Sequence, residues 1–284
     1  MEMQRSQKVA SPKFMKKNIF FLDIDGTLIQ PNQKPNTDQL PAVISKASEN
    51  GLLFGLNSNR SLEDVLPIYN MFSLNGPVVL ENGVYFQKSI STEKIFLTNS
   101  PKLIKDISVK AIENFISQNN LDCDFQYGDT VKIIESEDLL IKIPLGIYLN
   151  GFRLYTGSVH IFRYGVRDFD LAIKLRDYMR DYFAEYSLDY SVESPRAFGN
   201  VVFWPSQASK GTALHKMKKE YYPDYEFVMV GDDLADIETR QEVSLFFAVG
   251  NSQPEVKQAA DYVAKEEYTK GVVEIIEKYL IPTL

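Results

Sequence analysis

The first patterned stretch of the chain is Asn18-Ile-Phe-Phe-Leu-Asp-Ile-Asp-Gly26, an apolar run of strand length that ends in two acids and a glycine. It predicts a buried strand. Residues 38–50 place apolar positions at helical spacing and stop at Gly51, and 52–56 is a second short apolar run. Asn57-Ser58-Asn59-Arg60 then reads as a turn, with a helix starting at Ser61. Strand, helix, strand, helix implies parallel strands joined by right-handed crossovers, with helices on both faces of the sheet. Residues 77–80 predict a third strand, and 84–87 with 95–98 a hairpin.

The rhythm changes from about residue 99. A helix is predicted near 101–119, strands near 131, 141 and 159, a helix over 168–184, and strands near 190 and 201. After Pro205 the first rhythm returns: a helix from Lys210, a strand over 226–230, a helix after Asp233, a strand over 245–249 and a final helix over 269–280. The economical reading is an α/β fold: a doubly wound, mostly parallel Rossmann-like sheet as core, with an inserted α+β module. The core takes residues 18–86 and 201–284, the insertion 87–200, and residues 1–17 form a basic tail.

Composition narrows the class. Of 284 residues, 44% are hydrophobic and 24% charged, which excludes a disordered chain. No apolar run approaches the roughly 18 residues of a membrane span, and the first 17 residues hold five basic side chains but no apolar core of a secretory signal. With 31 Lys+Arg against 38 Asp+Glu the net charge is −7, so no polybasic footprint for nucleic acid or membrane is expected. A single cysteine, Cys123, permits no intrachain disulfide and no cysteine metal cage, in keeping with a cytoplasmic protein. His160 and His215 match no motif and read as structural or surface residues.

The chemistry collects at predicted strand ends. In an open parallel sheet these ends share one crevice, where ligands bind. Asp23 and Asp25 close the first strand, Ser58 follows the second, Asp232, Asp233 and Asp236 follow Phe227-Val-Met-Val-Gly231, and Lys210 opens a helix. Acids at i and i+2 of an extended segment point to one side, so Asp23 and Asp25 address one centre. Like charges ~4 Å apart repel by roughly 4 kcal/mol at an effective dielectric of ~20, so three carboxylates call for a cation. Mg²⁺, hard and oxygen-seeking, suits them. With a lysine, a hydroxyl and strand-end amides, the site is built for a phosphoryl group.

These residues resemble the haloacid dehalogenase superfamily of phosphatases. The DxDGT motif stands as Asp23-Ile-Asp25-Gly26-Thr27, Ser58 matches the second motif, Lys210 in Ser209-Lys210-Gly211 the lysine motif, and Gly231-Asp232-Asp233-Leu234-Ala235-Asp236 the last. The place of the insertion resembles the C2 cap of the Cof-like and sucrose-phosphatase-like branch. Two further stretches resemble that branch: Glu81-Asn82-Gly83, and Gly250-Asn251 leading to Ala260-Asp261-Tyr262. One departure is Ser58-Asn59-Arg60 where relatives often read Thr-Gly-Arg; Asn replaces Gly best at positive φ.

The resemblance implies Mg²⁺-dependent hydrolysis of a small phosphorylated metabolite, a sugar phosphate, by a monomer or homodimer. It implies Asp23 as nucleophile and Asp25 as acid/base, with Ser58 and Lys210 on the phosphoryl oxygens. The metal falls to Asp23, the Asp25 carbonyl, Asp232 and Asp236. Asn59 and Arg60, with Arg163 and Arg167 in a polar loop of the cap, are candidate substrate contacts. A phosphomutase shares every core motif, and a non-catalytic sugar-phosphate-binding protein is the alternative of another class.

Overall fold

The computed structural model describes residues 17–97 and 200–280, with the stretches 110–111, 114–115, 117–119, 130–132, 142–144, 152–156, 162–166, 169–186 and 190–192 between them. The first 16 residues of the basic tail, Cys123, His160, Arg167 and most of the helix predicted over 101–119 lie outside the described residues.

The first half of the core runs β1 (Asn18–Leu22), α1 (Leu40–Ser48), β2 (Leu53–Asn57), α2 (Leu62–Met71) and β3 (Val78–Leu80), followed by β4 (Tyr85–Gln87) and β5 (Ile95–Phe96). The next segment holds β6 (Thr130–Lys132), β7 (Lys142–Pro144), β8 (Phe152–Thr156), β9 (Phe162–Val166), α3 (Phe169–Glu185), β10 (Tyr190–Val192) and β11 (Asn200–Pro205). The core resumes with α4 (Lys210–Tyr221), β12 (Glu226–Gly231), α5 (Leu234–Ile237), β13 (Leu245–Ala248), α6 (Pro254–Ala259), β14 (Tyr262–Val263) and α7 (Tyr268–Ile275), which passes into a π-helical turn, Ile276–Leu280.

Eight strands form the main sheet in the order β14-β13-β12-β1-β2-β3-β4-β5. Pairs from β14 to β3 are parallel, and β4 and β5 add an antiparallel edge. Alternation along the strands builds two cores. Phe20, Leu22, Phe54, Leu56, Val78 and Leu80 meet Leu40 and Ile44 of α1, Val65 and Ile68 of α2, and Val272 of α7 on one face. Ile19, Phe21, Phe227, Met229 and Phe246 meet Ala213, Leu214 and Met217 of α4 and Val256 of α6 on the other. Helices on both faces make the sheet doubly wound. Each fully buried Phe stabilises by roughly 1.5–3 kcal/mol, which pins the register at the centre of the sheet.

Asp23 continues β1 with the parity of Ile19 and Phe21, which places it on the face covered by α4. Lys210 is the first residue of α4, after Ser209, whose side chain accepts from Thr212 N–H and completes a capping box with the Thr212 hydroxyl. The crossover topology thus brings together residues 187 positions apart in sequence.

In the inserted segment β10-β11-β9-β8 form an antiparallel sheet, and β6 pairs with β7. One expectation is corrected. The 163–167 stretch was expected to be a loop after a strand; instead Arg163 lies within β9, which pairs with both β8 and β11. Phe162, Tyr164 and Val166 are strand formers, and Gly165 is accommodated within the ladder.

Candidate active site

At the C-terminal ends of β1 and β12 the backbone ladder itself sets the site. The Asp23 N–H donates to the Val230 carbonyl at 3.0 Å, so the first acid emerges beside Gly231 and Asp232. Lys210, only 2% exposed, reaches into this corner and donates to Asp23 Oδ1 at 2.6 Å and to Asp236 Oδ1 at 2.7 Å. Asp236 Oδ2 accepts from the backbone N–H groups of Asp232 at 3.0 Å and Asp233 at 3.1 Å. Both its oxygens are thereby engaged in fixing the turn that carries Asp232.

Asp23, Asp232 and Asp236 each offer a carboxylate oxygen, and these atoms lie within 4.8 Å of one another. Burial pushes the Asp23 carboxyl well above the usual range; Lys210 opposes this, and Asp236 and Asp232 add to it. Burial also raises Asp232 to about 7, against the hydrogen bond from Thr27 and with the repulsion of Asp236 and Asp233. Burial works to discharge the Lys210 ammonium, yet Asp23 and Asp236 outweigh it and raise its pKa. Three crowded carboxylates against one ammonium, all with hard oxygen donors, fit a divalent metal ion.

Two glycines are required for this crowding. Gly26 has φ +95°, and a Cβ there would lie 2.1 Å from Asp232 Oδ2. A Cβ on Gly231 would lie 2.3 Å from Asp236 Oδ2. Thr27, fully buried, donates its hydroxyl to Asp232 Oδ1 at 2.8 Å. Thr27 was not among the residues singled out from the sequence, although the DxDGT motif contains it. Asn251 is another: its Nδ2 donates to the Gly26 carbonyl at 2.7 Å while its Oδ1 accepts from Tyr268 N–H at 2.8 Å. The Gly250-Asn251 pair was the sequence signal for it.

Ser58 lies just beyond β2 and is buried. Its Oγ accepts from the Arg60 N–H at 3.2 Å, and a hydroxyl that accepts there still has its own proton to donate. Asp25 is more exposed, and Arg60 grips its carboxylate with two bonds, Nε to Oδ2 at 2.8 Å and Nη2 to Oδ1 at 2.6 Å. The hydrogen bond to Asp25 also raises the Arg60 pKa, against partial burial. Asn59, exposed, sits at the same turn. Asp233 takes the N-cap of α5, accepting from Leu234 N–H at 2.6 Å, and receives Gln253 Nε2 at 2.8 Å. His215 is exposed on α4 beside Glu242 at 3.0 Å, away from these groups in role and contact. The structure therefore brings together Asp23, Lys210, Asp232 and Asp236 directly, and joins Ser58, Arg60 and Asp25 in a second chain of contacts. Of the two cap arginines, Arg163 is described only as a position in β9, and Arg167 lies outside the described residues.

The chain as a whole is similar to known proteins. Residues 20–276 match the family model of the haloacid dehalogenase-like hydrolases. A phosphoglycolate phosphatase of Sulfolobus acidocaldarius is 26% identical over 270 residues, 92% of this chain and 96% of the relative. One of Staphylothermus marinus is 28% identical over 264 residues, 91% of this chain and 95% of the relative. Among solved structures, a haloacid dehalogenase-like hydrolase from Bacteroides thetaiotaomicron superposes with a TM-score of 0.69 at 18% identity, covering 92% of this chain and 99% of its own. A protein from Thermotoga maritima superposes with a TM-score of 0.68 at 20% identity, covering 92% and 97%. With the family model spanning residues 20–276 and the acid–lysine cluster in place, the chain belongs to the haloacid dehalogenase-like hydrolase family.

Proposed function

We propose that this chain hydrolyses a small phosphate monoester with Mg²⁺, through a phosphoryl group carried on Asp23. The observation that carries this reading is the buried Lys210, bonded to Asp23 and Asp236 with Asp232 alongside. Lys210 occupies Asp23 Oδ1, which orients the carboxylate and leaves Oδ2 to attack phosphorus. The Asp23–phosphorus bond forms as the ester oxygen departs, and Asp25 gives that oxygen its proton. Asp25 then takes a proton from the water that attacks phosphorus and releases phosphate and the free Asp23 carboxylate. Ser58 Oγ–H and the Lys210 ammonium would donate to the phosphoryl oxygens as charge develops.

Asp23, Asp232 and the Asp25 carbonyl would hold the metal ion, which supplies charge neutralisation for the incoming phosphate. Asp236, whose carboxylate lies within 4.8 Å of those of Asp23 and Asp232, would join them directly or through water while it fixes the Asp232 turn. The inserted segment would act as the cap; the expected bounds shift, because β5 (to Phe96) pairs within the core sheet and β11 (Asn200–Pro205) within the sheet of the insertion, and Asn59, Arg60, Arg163 and Arg167 would serve recognition of the leaving group. A net charge of −7 supports a small-molecule substrate rather than nucleic acid, and no described helix is long and apolar enough to cross a membrane. We place the protein in the cytoplasm, as a monomer or homodimer.

The relatives' names favour phosphoglycolate as substrate, and the cap reading favours a sugar phosphate; both are small phosphorylated metabolites. The test is release of inorganic phosphate from a panel containing phosphoglycolate and several sugar monophosphates, with metal-stripped protein before and after Mg²⁺. Release from at least one member only when Mg²⁺ is present is expected. Isomerised sugar phosphate without free phosphate would make the chain a mutase, and tight binding of a panel member without turnover would make it a binding protein.

A further inference from the structure

The loop after the first strand contains a residue that breaks a backbone rule. Gln33 N–H donates to the Gln30 carbonyl at 2.9 Å, and Gln30 N–H donates to the Lys34 carbonyl at 3.0 Å, closing a tight turn. Pro31 takes the turn position it favours, and Gln33 takes the left-handed position at φ +64°. Glycine is the default residue there, because an unbranched turn of this hand strains any side chain with a Cβ. A non-glycine residue held in that conformation points to a role for its side chain.

The side chain of Gln33 has one polar contact of note: its Oε1 accepts a hydrogen bond from Arg60 Nη2. The same Nη2 donates to Asp25 Oδ1 at 2.6 Å, and Nε of the same guanidinium donates to Asp25 Oδ2 at 2.8 Å. Nη2 carries two hydrogens, and one goes to each acceptor. A planar guanidinium with one edge on a carboxylate can still pivot about that edge; a third acceptor fixed in a turn removes the pivot. Asp25 is 53% exposed, so its ion pair adds little to stability, and the consequence of the network is orientation.

We propose that Gln33 is a positioning residue for Asp25, acting through Arg60. The inference rests on the reading of Asp25 as the acid/base given above. Gln33 holds the guanidinium plane, the guanidinium holds the Asp25 carboxylate, and Asp25 is thereby held where it meets the ester oxygen. The turn accepts a strained residue because a glycine there has no side chain to reach Arg60.

Two variants separate this role from a structural one. Gln33→Met keeps the length and removes the acceptor; Gln33→Gly removes the reach and relieves the positive φ. Each is assayed with Mg²⁺ on an activated nitrophenyl phosphate and on unactivated phenyl phosphate, with melting temperature measured alongside and Asp25→Asn run in parallel. Expected for both variants is a loss of about tenfold or more on phenyl phosphate, with less than about twofold on the nitrophenyl ester. Gln33→Gly is also expected to melt no lower than the wild type. Equal losses on the two esters, or none on phenyl phosphate, would overturn the inference. If Asp25→Asn itself slows both esters alike, the acid/base reading fails and the inference with it. If Asp25→Asn discriminates and the Gln33 variants do not, the inference alone fails.

Discussion

At the residue scale the site is a set of charges that the protein fold alone does not balance. Burial pushes the Asp232 carboxyl up to about 7 from an ordinary 3.8, and Asp23 is displaced in the same direction. A carboxyl whose folded pKa is raised binds its proton more tightly in the native state. Its contribution to stability is fully present below the ordinary value and is lost as pH rises through the folded one. Metal-free protein is therefore expected to melt at a lower temperature at about pH 8 than at about pH 5, with Mg²⁺ removing much of the difference. Thermal melts in chelator and in Mg²⁺ check this; a metal-free melting temperature that rises over that interval would show that the cluster is not strained by its own charge.

Much of the site was legible at this scale. Asp23, Asp25, Ser58, Lys210, Asp232 and Asp236 each stood at a predicted strand or helix end, and backbone regularity is what brings such ends to one crevice. Gln33 was not legible. Its importance lies in a left-handed φ and a contact across 27 residues, neither of which leaves a pattern in sequence.

At the element scale the site depends on fastening the loop after β1 to the far end of the core. Asn251 joins the Gly26 carbonyl to the N-terminal backbone of α7, Thr269 donates to the Leu28 carbonyl, and Asn36 exchanges bonds with Glu267 and Lys270. Removing the Asn251 side chain leaves a part-buried carbonyl and an N–H without partners, at roughly 1–3 kcal/mol for each unmet group. Asn251→Ala is expected to lower both melting temperature and turnover, since the same loop carries Asp25 and the Thr27 support for Asp232. Unchanged melting and turnover would place Asn251 outside the site's framework. The strong elements were read correctly because long apolar periods dominate local choice, as in β1 and α4. Among the short ones the β4–β5 hairpin was read and β14 was not: β14 has two residues and depends on its pairing with β13, a tertiary fact. Arg163 was misplaced for a related reason, since the alternation around Gly165 looks like a turn until β8 and β11 flank it.

At the scale of the whole molecule, a doubly wound sheet supplies the chemistry and an inserted segment with its own antiparallel sheet interrupts it. The core residues named above are proposed to handle phosphate and water and offer little to recognise a carbon skeleton, so substrate choice is proposed to lie in the insertion. Fold neighbours spanning more than 90% of this chain at 18–20% identity show how little sequence the architecture demands. The most direct measurement is phosphate release by wild type and Asp23→Asn with Mg²⁺, on the best substrate of the panel. Asp23→Asn keeps shape and loses the nucleophile, so release is expected to fall by about a thousandfold or more while the melting curve stays cooperative. Release above about one hundredth of the wild-type rate by the folded variant would contradict covalent catalysis through Asp23.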